Sequence, residues 1–305
     1  MRNKNNAFTL IELLVVVSII AMLVGILSVA QRKVRIISQN LRQKAAFHAG
    51  EISLELYARD YGGYPDSSLV SAGTHVTGAQ RLAEAFFGRD DQGFNPKTKW
   101  HPTLDAADLY DATVTAKDRK VPYFERKRAG FHSIYDIWQG DFGTSSIYHA
   151  SQSSEAAGVN KTMVSPVFTD IFTSYKTATG QSAGMPILYF KADPTKKFRT
   201  EAGVEVKNPT SAQYSKWVYN FDDNLPLLQL PWLQDKTQTD GLAVHYPDED
   251  KDGDDDNPAQ VFYEKLTQRE DGNFFLPHNK STFLLISAGH DGIYGTKDDL
   301  TNFDN

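Results

Sequence analysis

Glu12 is the only charged side chain between Ala7 and Ala30, in the stretch AFTLIELLVVVSIIAMLVGILSVA. An acidic group at the centre of a membrane-inserted helix costs about 2.5 to 3.5 kcal/mol, so Glu12 calls for a role that offsets this cost. Two acidic loops also carry a chemical signal. In the first, Asp248, Asp250 and Asp252 occupy positions 1, 3 and 5 of a D-x-D-x-D-G pattern with Gly253 at position 6 and Asp254 after it. Hard oxygen ligands at alternate positions suit Ca²⁺, yet position 12 is Ala259 rather than a bidentate Glu, and a solvated acidic loop fits the same composition. In the second, Asp291, Asp298 and Asp299 lie in SAGHDGIYGTKDDL, directly after the apolar run FLLIS. Its plainest reading is a glycine-rich turn with solvated acids.

The remaining candidates are weaker. His290-Asp291 reads as a loop pair, because general base catalysis also requires a positioned nucleophile. The chain has no H-E-x-x-H, Walker or dinucleotide-binding motif, and its eight histidines are dispersed. It is not expected to be an enzyme.

The element that must position Glu12 is a helix. The 18 residues from Leu13 to Ala30 are free of charge, which meets the length criterion for crossing a membrane. Beyond Ala30 the apolar residues become periodic: Val34, Ile37, Leu41, Ala45, Ala49, Ile52 and Leu56 recur at three- and four-residue spacing, as on one face of a helix. A continuous helix from Phe8 to Asp60 would extend about 80 Å, and Tyr61-Gly62-Gly63-Tyr64-Pro65 would end it.

The polar leader MRNKNNA, the Ala7-Phe8 junction, the run Phe8-Thr9-Leu10-Ile11-Glu12 and the apolar tail together resemble the signal of type IV prepilins and type II secretion pseudopilins. Ala7 stands where that family usually has Gly. GGYP after the long helix resembles the GxYP turn of pseudopilins, and the SAGHDGIYGTKDDL loop resembles the C-terminal SxGxDGxxGTxDD loop of major, G-type pseudopilins. The resemblance implies cleavage between Ala7 and Phe8 by a prepilin peptidase, methylation of the new amine, and retention of the apolar segment. Glu12 would then neutralise the α-amine of a neighbouring subunit within apolar surroundings and set the register of assembly. It further implies a structural calcium ion held by Asp291 and Asp298, with Asp299 as a possible third ligand.

Charge around the membrane segment points the other way from the resemblance. Arg2 and Lys4 precede it, whereas Arg32, Lys33, Arg35, Arg42 and Lys44 follow it, and counting loop charges alone would favour the opposite topology. The leader motif is the more specific signal and places the peptidase site on the cytoplasmic side.

Composition sets outer bounds. With 305 residues, 40% hydrophobic and 12% aromatic, the chain can build a sizeable core beyond the helix. A net charge of −6 without a long Lys/Arg run argues against nucleic acid. The absence of cysteine excludes disulfides and thiolate metal sites.

Between Asp66 and Lys280 the expected elements are mixed. Thr77-Gly78-Ala79-Gln80 resembles a capping box opening a helix through Phe87, and Leu104–Ala112 suits another. Strands are expected at Phe131–Trp138, Pro186–Ala192, Lys216–Phe221, Val261–Leu266 and Thr282–Ser287. Trp100, Trp138, Trp217 and Trp232 are expected in the core.

The fold class expected is α+β and pilin-like: a long N-terminal membrane-spanning helix on a globular head built on a mixed, mainly antiparallel sheet. The parts would be a cleaved leader at 1–7, a helix at 8–61 that is transmembrane over 8–30 and amphipathic over 31–61, and a head at 62–305 with a large insertion. The expected function is a filament subunit of a type IV pilus-like or type II secretion system. Its partners would be other pilin-like subunits, the prepilin peptidase, an inner-membrane assembly platform and the membrane itself. It would be a single-pass inner membrane protein with its head in the periplasm or outside the cell. The alternative is a membrane-anchored, calcium-dependent binding protein exported with the same signal.

Overall fold

The computed structural model describes residues 10–71, 74–89, 92–100, 109–125, 130–134, 137, 146–148, 166–172, 175–176, 180, 182–196, 216–228, 266–270 and 274–303. Helix α1 spans Leu10–Tyr61. It stops because Gly62 adopts a left-handed φ of +80° and its N–H bonds back to the Ala58 carbonyl at 2.8 Å, and Pro65 follows.

The chain forms two compact units, Met1–Arg42 and Gln43–Asn305. In the first, the large apolar side chains from Leu10 to Leu27 are between 47% and 81% exposed. A helix apolar on all sides and uncovered is suited to lipid or to other copies of itself.

Within the second unit α1 buries Gln43, Ala46, Phe47, Gly50, Ser53, Leu54 and Tyr57, a stripe at three- and four-residue spacing. This is not the face that the sequence periodicity picks out: Val34, Ile37, Leu41 and Ile52 are more than half exposed. The helix has two apolar faces. The head covers the one that contains aromatic rings and small residues, with Phe86 and Leu285 packed over Gly50.

Helix α2 is Gly78–Phe87, and its start is the expected capping box, with the Gln80 carboxamide oxygen accepting from the Thr77 N–H at 2.9 Å. Gly78 is required here, because a Cβ would sit 2.0 Å from the Tyr189 carbonyl oxygen.

Strands β1 (Leu69–Ser71) and β2 (Thr74–Val76) pair antiparallel, as do β3 (Gly130–Ser133) with β4 (Pro166–Thr169) and β5 (Tyr175–Lys176) with β6 (Ser182–Ala183). Strand β7 (Leu188–Lys191) and the short helix α3 (Leu225–Leu228) come next in the chain. Strands β8 (Thr267–Glu270) and β9 (Phe274–Pro277) form another antiparallel pair, followed by β10 (Phe283–Ser287) and β11 (Leu300–Thr301). The central sheet has the order β11-β10-β7 and is antiparallel throughout.

Every residue of β10 is buried. Phe283 and Leu285 join Phe47, Leu54, Phe86 and Tyr189 on one side, while Leu284 and Ile286 join Leu188, Phe190 and Tyr219 on the other. Burial on both faces explains why FLLIS reads as an unbroken apolar run rather than an alternation. The architecture is α+β, a long apolar N-terminal helix with small antiparallel sheets, consistent with a pilin-like fold.

Several expected elements differ. The β3 strand ends at Ser133 rather than Trp138, and β7 begins at Leu188. Lys216–Phe221 is an isolated bridge and turn leading into a 3₁₀ turn at Phe221–Asp223, because Asn220 accepts a hydrogen bond from the Asp222 N–H and turns the chain. Leu109 to Ala112 is not helical: Tyr110 bridges to Thr98 and Asp111 caps a turn through Thr113. Residues 104–108 and 261–265, Trp138 and Trp232 lie outside the described residues. Trp100 and Trp217 are buried. Trp100 stacks on the guanidinium of the fully buried Arg89, 4.0 Å from the ring centroid, and donates its indole N–H to Glu84.

Candidate functional site

Glu12 stands in the first described turn of α1. Ala7 and Phe8 lie outside the described residues, as do Asp248, Asp250, Asp252 and Asp254.

The C-terminal acidic loop is described throughout. It connects the adjacent antiparallel strands β10 and β11, so its ends are fixed by the pairs Ile286↔Thr301 and Ser287↔Leu300. Gly289, Gly292 and Gly295 all have left-handed φ values, between +64° and +90°. At Gly289 a Cβ would also lie 2.2 Å from the Asp298 carbonyl oxygen. The glycines let the loop fold back on itself, and Asp298 closes it: its Oδ2 accepts from the His290 and Asp291 amides at 2.7 and 2.9 Å, and its Oδ1 from Thr296 Oγ1 at 2.5 Å.

This fold-back brings the carboxyls of Asp291 and Asp298 into direct interaction. Partial burial pushes the Asp291 carboxyl up, with the Asp298 charge adding to it. Burial acts upward on Asp298 too, but the bonds from Thr296, Asp291 and His290 outweigh it and hold Asp298 below its ordinary value. Two adjoining carboxylates repel, and either a shared proton or a cation relieves that repulsion. Asp299 turns to a different task, accepting from the Gly295 amide at 2.6 Å. Among the described residues no group of three or more His, Asp or Glu is arranged around one metal position. Both oxygens of Asp298 and the Oδ1 of Asp291 already accept hydrogen bonds within the loop. His290 and Asp291 act as turn residues, the Asp291 Oδ1 accepting from the Ile293 amide at 2.7 Å.

The loop is anchored from beneath by a residue the sequence did not single out. Asp170 follows β4, is buried, and accepts hydrogen bonds from Ser287 Oγ at 2.8 Å and from the Met185 and Phe172 amides at 3.1 Å. Burial pushes its carboxyl up to about 8, against the pull of those hydrogen bonds. An acid whose folded-state value lies above its ordinary one near 3.8 gives the native state its full benefit below that value. The benefit is lost as pH rises towards 8. Asp170→Asn keeps an acceptor for the two amides and a donor for Ser287. The variant is expected to show a flatter dependence of Tm on pH between about 4 and 8 than the parent, and to be the more stable of the two at pH 8. Thermal melts across that range check it; parallel curves would show that Asp170 does not titrate with unfolding.

Sequence reasoning also missed a cleft of about 460 Å³ whose lining includes Asp66, Ser67, Lys191, Asp193, Trp217 and Asp223. Its floor is the buried Asp223, which accepts from Ser67 Oγ and from Asn220 at 2.9 Å, and which burial raises to about 6. Its rim holds Lys191 paired with Asp66 at 2.7 Å and Lys196 with Asp193 at 3.3 Å. No local motif marks it, because the residues come from three separated stretches of chain.

Compared with known proteins, residues 2–28 match the prokaryotic N-terminal methylation motif. No curated protein and no solved structure matches the chain. The match covers the junction, Glu12 and most of the apolar segment. It supports a prepilin-type signal, processing by prepilin peptidase and association with a membrane.

Proposed function

We propose that this prepilin-type chain is a structural subunit of a type IV pilus-like or type II secretion filament. The observation that carries the reading is the methylation motif at residues 2–28 joined to a helix whose apolar side chains from Leu10 to Leu27 are exposed. Processing between Ala7 and Phe8 would make Glu12 the fifth residue of the mature chain. Assembly would bury the apolar helix among its copies, and Glu12 would fix their register by neutralising a neighbour's amine. The partners in this reading are other pilin-like subunits, the peptidase and an inner-membrane assembly platform, and the head stands in the periplasm or outside the cell. The chain acts by assembling, without catalysis. Calcium held by Asp291 and Asp298 would keep the C-terminal loop closed.

The mature chain is expected to begin at Phe8. N-terminal mass analysis of membrane-extracted protein checks this, and a terminus beyond Ala30 would indicate an ordinary secretory signal and remove the assembly reading.

One observation bears on a second reading, a membrane-anchored calcium-dependent binding protein: the cleft above Asp223, about 460 Å³, falls in the size range of small-ligand pockets. Recovery of the chain in sheared filaments separates the two. A monomer that remains in the membrane and binds ligand would favour the second.

A further inference from the structure

The cleft above Asp223 is lined by three carboxylates and two lysines, and their pairing leaves one charge unmatched. At the rim Asp66 takes Lys191 at 2.7 Å and Asp193 takes Lys196 at 3.3 Å. Asp223 is the buried one of the three acids, and among the described residues it is in no ion pair. Its oxygens accept from Ser67 Oγ and from the Asn220 carboxamide at 2.9 Å, and Ser68 adds a further side-chain bond. Ser67, Ser68 and Asn220 themselves line the cleft, so the carboxyl they hold lies at its inner wall. All three are neutral donors, which fix Asp223 in place without cancelling its charge. Burial raises that carboxyl to about 6, and it is still largely ionised at neutral pH.

The charge, size and walls of the cleft select the form of the missing partner. A neutral ligand would leave the Asp223 charge buried and unpaired, and an anion would add to it. A calcium ion gathers about six to eight oxygens and is poorly served by one carboxylate. An ammonium matches a single carboxylate in charge and brings N–H donors to its remaining lone pairs. The cleft encloses about 460 Å³, room for a small organic molecule. Ala192, Pro194, Trp217 and Val218 also line it and offer an apolar wall to the carbon chain that carries the ammonium.

We infer that this cleft binds a small primary alkylammonium, with the ammonium on Asp223 and the carbon chain against Trp217 and Val218. The inference gives the binding reading a ligand class. It rests on neither filament assembly nor calcium, since no residue of α1 or of the C-terminal acidic loop lines the cleft.

The test titrates the full chain, in deuterated detergent at pH 7.5, with n-butylamine, n-butanol and butyrate, and follows binding by saturation-transfer difference NMR. The three ligands differ in charge at nearly constant size. The parent chain is expected to bind n-butylamine saturably and at least about tenfold more tightly than the other two, the effect of one charge-assisted hydrogen bond. Asp223→Asn keeps the shape and an acceptor but removes the charge, and should abolish the preference. Ser68→Lys tethers an ammonium beside Asp223 and should exclude the free one, which keeps the inference testable if Asp223→Asn does not fold. Asp170→Asn, which removes a buried carboxyl outside the cleft, should bind as the parent does. Equal affinity of the parent for n-butylamine and n-butanol, or an undiminished preference in Asp223→Asn or in Ser68→Lys, would overturn the inference. Binding is expected to be the same in calcium and in chelator, so a failure of the calcium reading and a failure of this one are separate results.

Discussion

Glu12→Ala is expected to leave the chain in the membrane and to abolish its recovery in filaments or crosslinked multimers. The two parts have opposite signs for one physical reason. In an isolated subunit Glu12 is the most costly group in the segment, and its loss lowers the cost of insertion by about 2.5 to 3.5 kcal/mol if it is fully immersed. In an assembly the same carboxylate would face the α-amine of another subunit, and removing one partner of a buried ion pair costs roughly 3 to 5 kcal/mol because the other is left unpaired. That loss corresponds to a factor of more than about 100 at each subunit contact. Carbonate extraction measures insertion, and shearing followed by pelleting measures assembly. Glu12→Gln separates charge from shape, and it should fail as Ala does. Multimers of Glu12→Ala at the parent's level would show that register is set elsewhere.

The second large effect concerns calcium. Saturating a site that only the folded chain offers, at 100 times Kd, would add about 2.7 kcal/mol to stability. The melting temperature of the head should therefore rise with calcium and fall again with chelator. The double variant Asp291→Asn with Asp298→Asn is the informative one. Asp298 accepts from two loop amides, so alanine would open the loop whether or not calcium binds, whereas the asparagine oxygen keeps those bonds and removes only the charge. This variant should fold and show no calcium response. A variant with Asp248, Asp250 and Asp252 changed to Asn should keep the response; if instead that variant loses it, the metal lies in the other acidic loop. Acid supplies an independent check. Asp291 is the raised member of the pair, so it takes up a proton first as pH falls, and that proton relieves the repulsion in place of the cation. The calcium-dependent rise in Tm should therefore shrink as pH falls towards 4, and no rise at neutral pH in the parent chain would leave the loop as a turn closed by hydrogen bonds alone.

The apolar run from Leu13 to Ala30, the position of Glu12 and the capping box at Thr77 were legible in the sequence because each depends on neighbours within a few residues. The same holds for the end of α1, where Gly62 does locally what the chain needs whatever packs around it. The glycine-rich loop was legible as a turn for that reason as well.

Tertiary structure decided which face of α1 the head covers. Periodicity in the sequence picks out the stripe of Val34, Ile37, Leu41 and Ile52, whereas side chains such as Phe86 and Leu285, arriving from α2 and β10, cover the face containing Phe47, Gly50 and Leu54. It also decided that Lys216–Phe221 is no strand, since the Asn220 side chain accepts from the Asp222 N–H and turns the chain. Within the acidic loop, spacing treats Asp291, Asp298 and Asp299 alike. The fold-back at Gly289 brings the first two together and sends the third to the Gly295 amide. Asp170 lies 117 residues from Ser287 in sequence, and no local pattern could mark it as the group beneath the loop. Composition and spacing thus determined the membrane segment and the chemistry offered to it, because a lipid environment acts on each residue of a helix independently of the fold. The pairing of carboxylates and the choice of buried face arise from contacts between distant stretches, and these exist only once the chain has closed on itself.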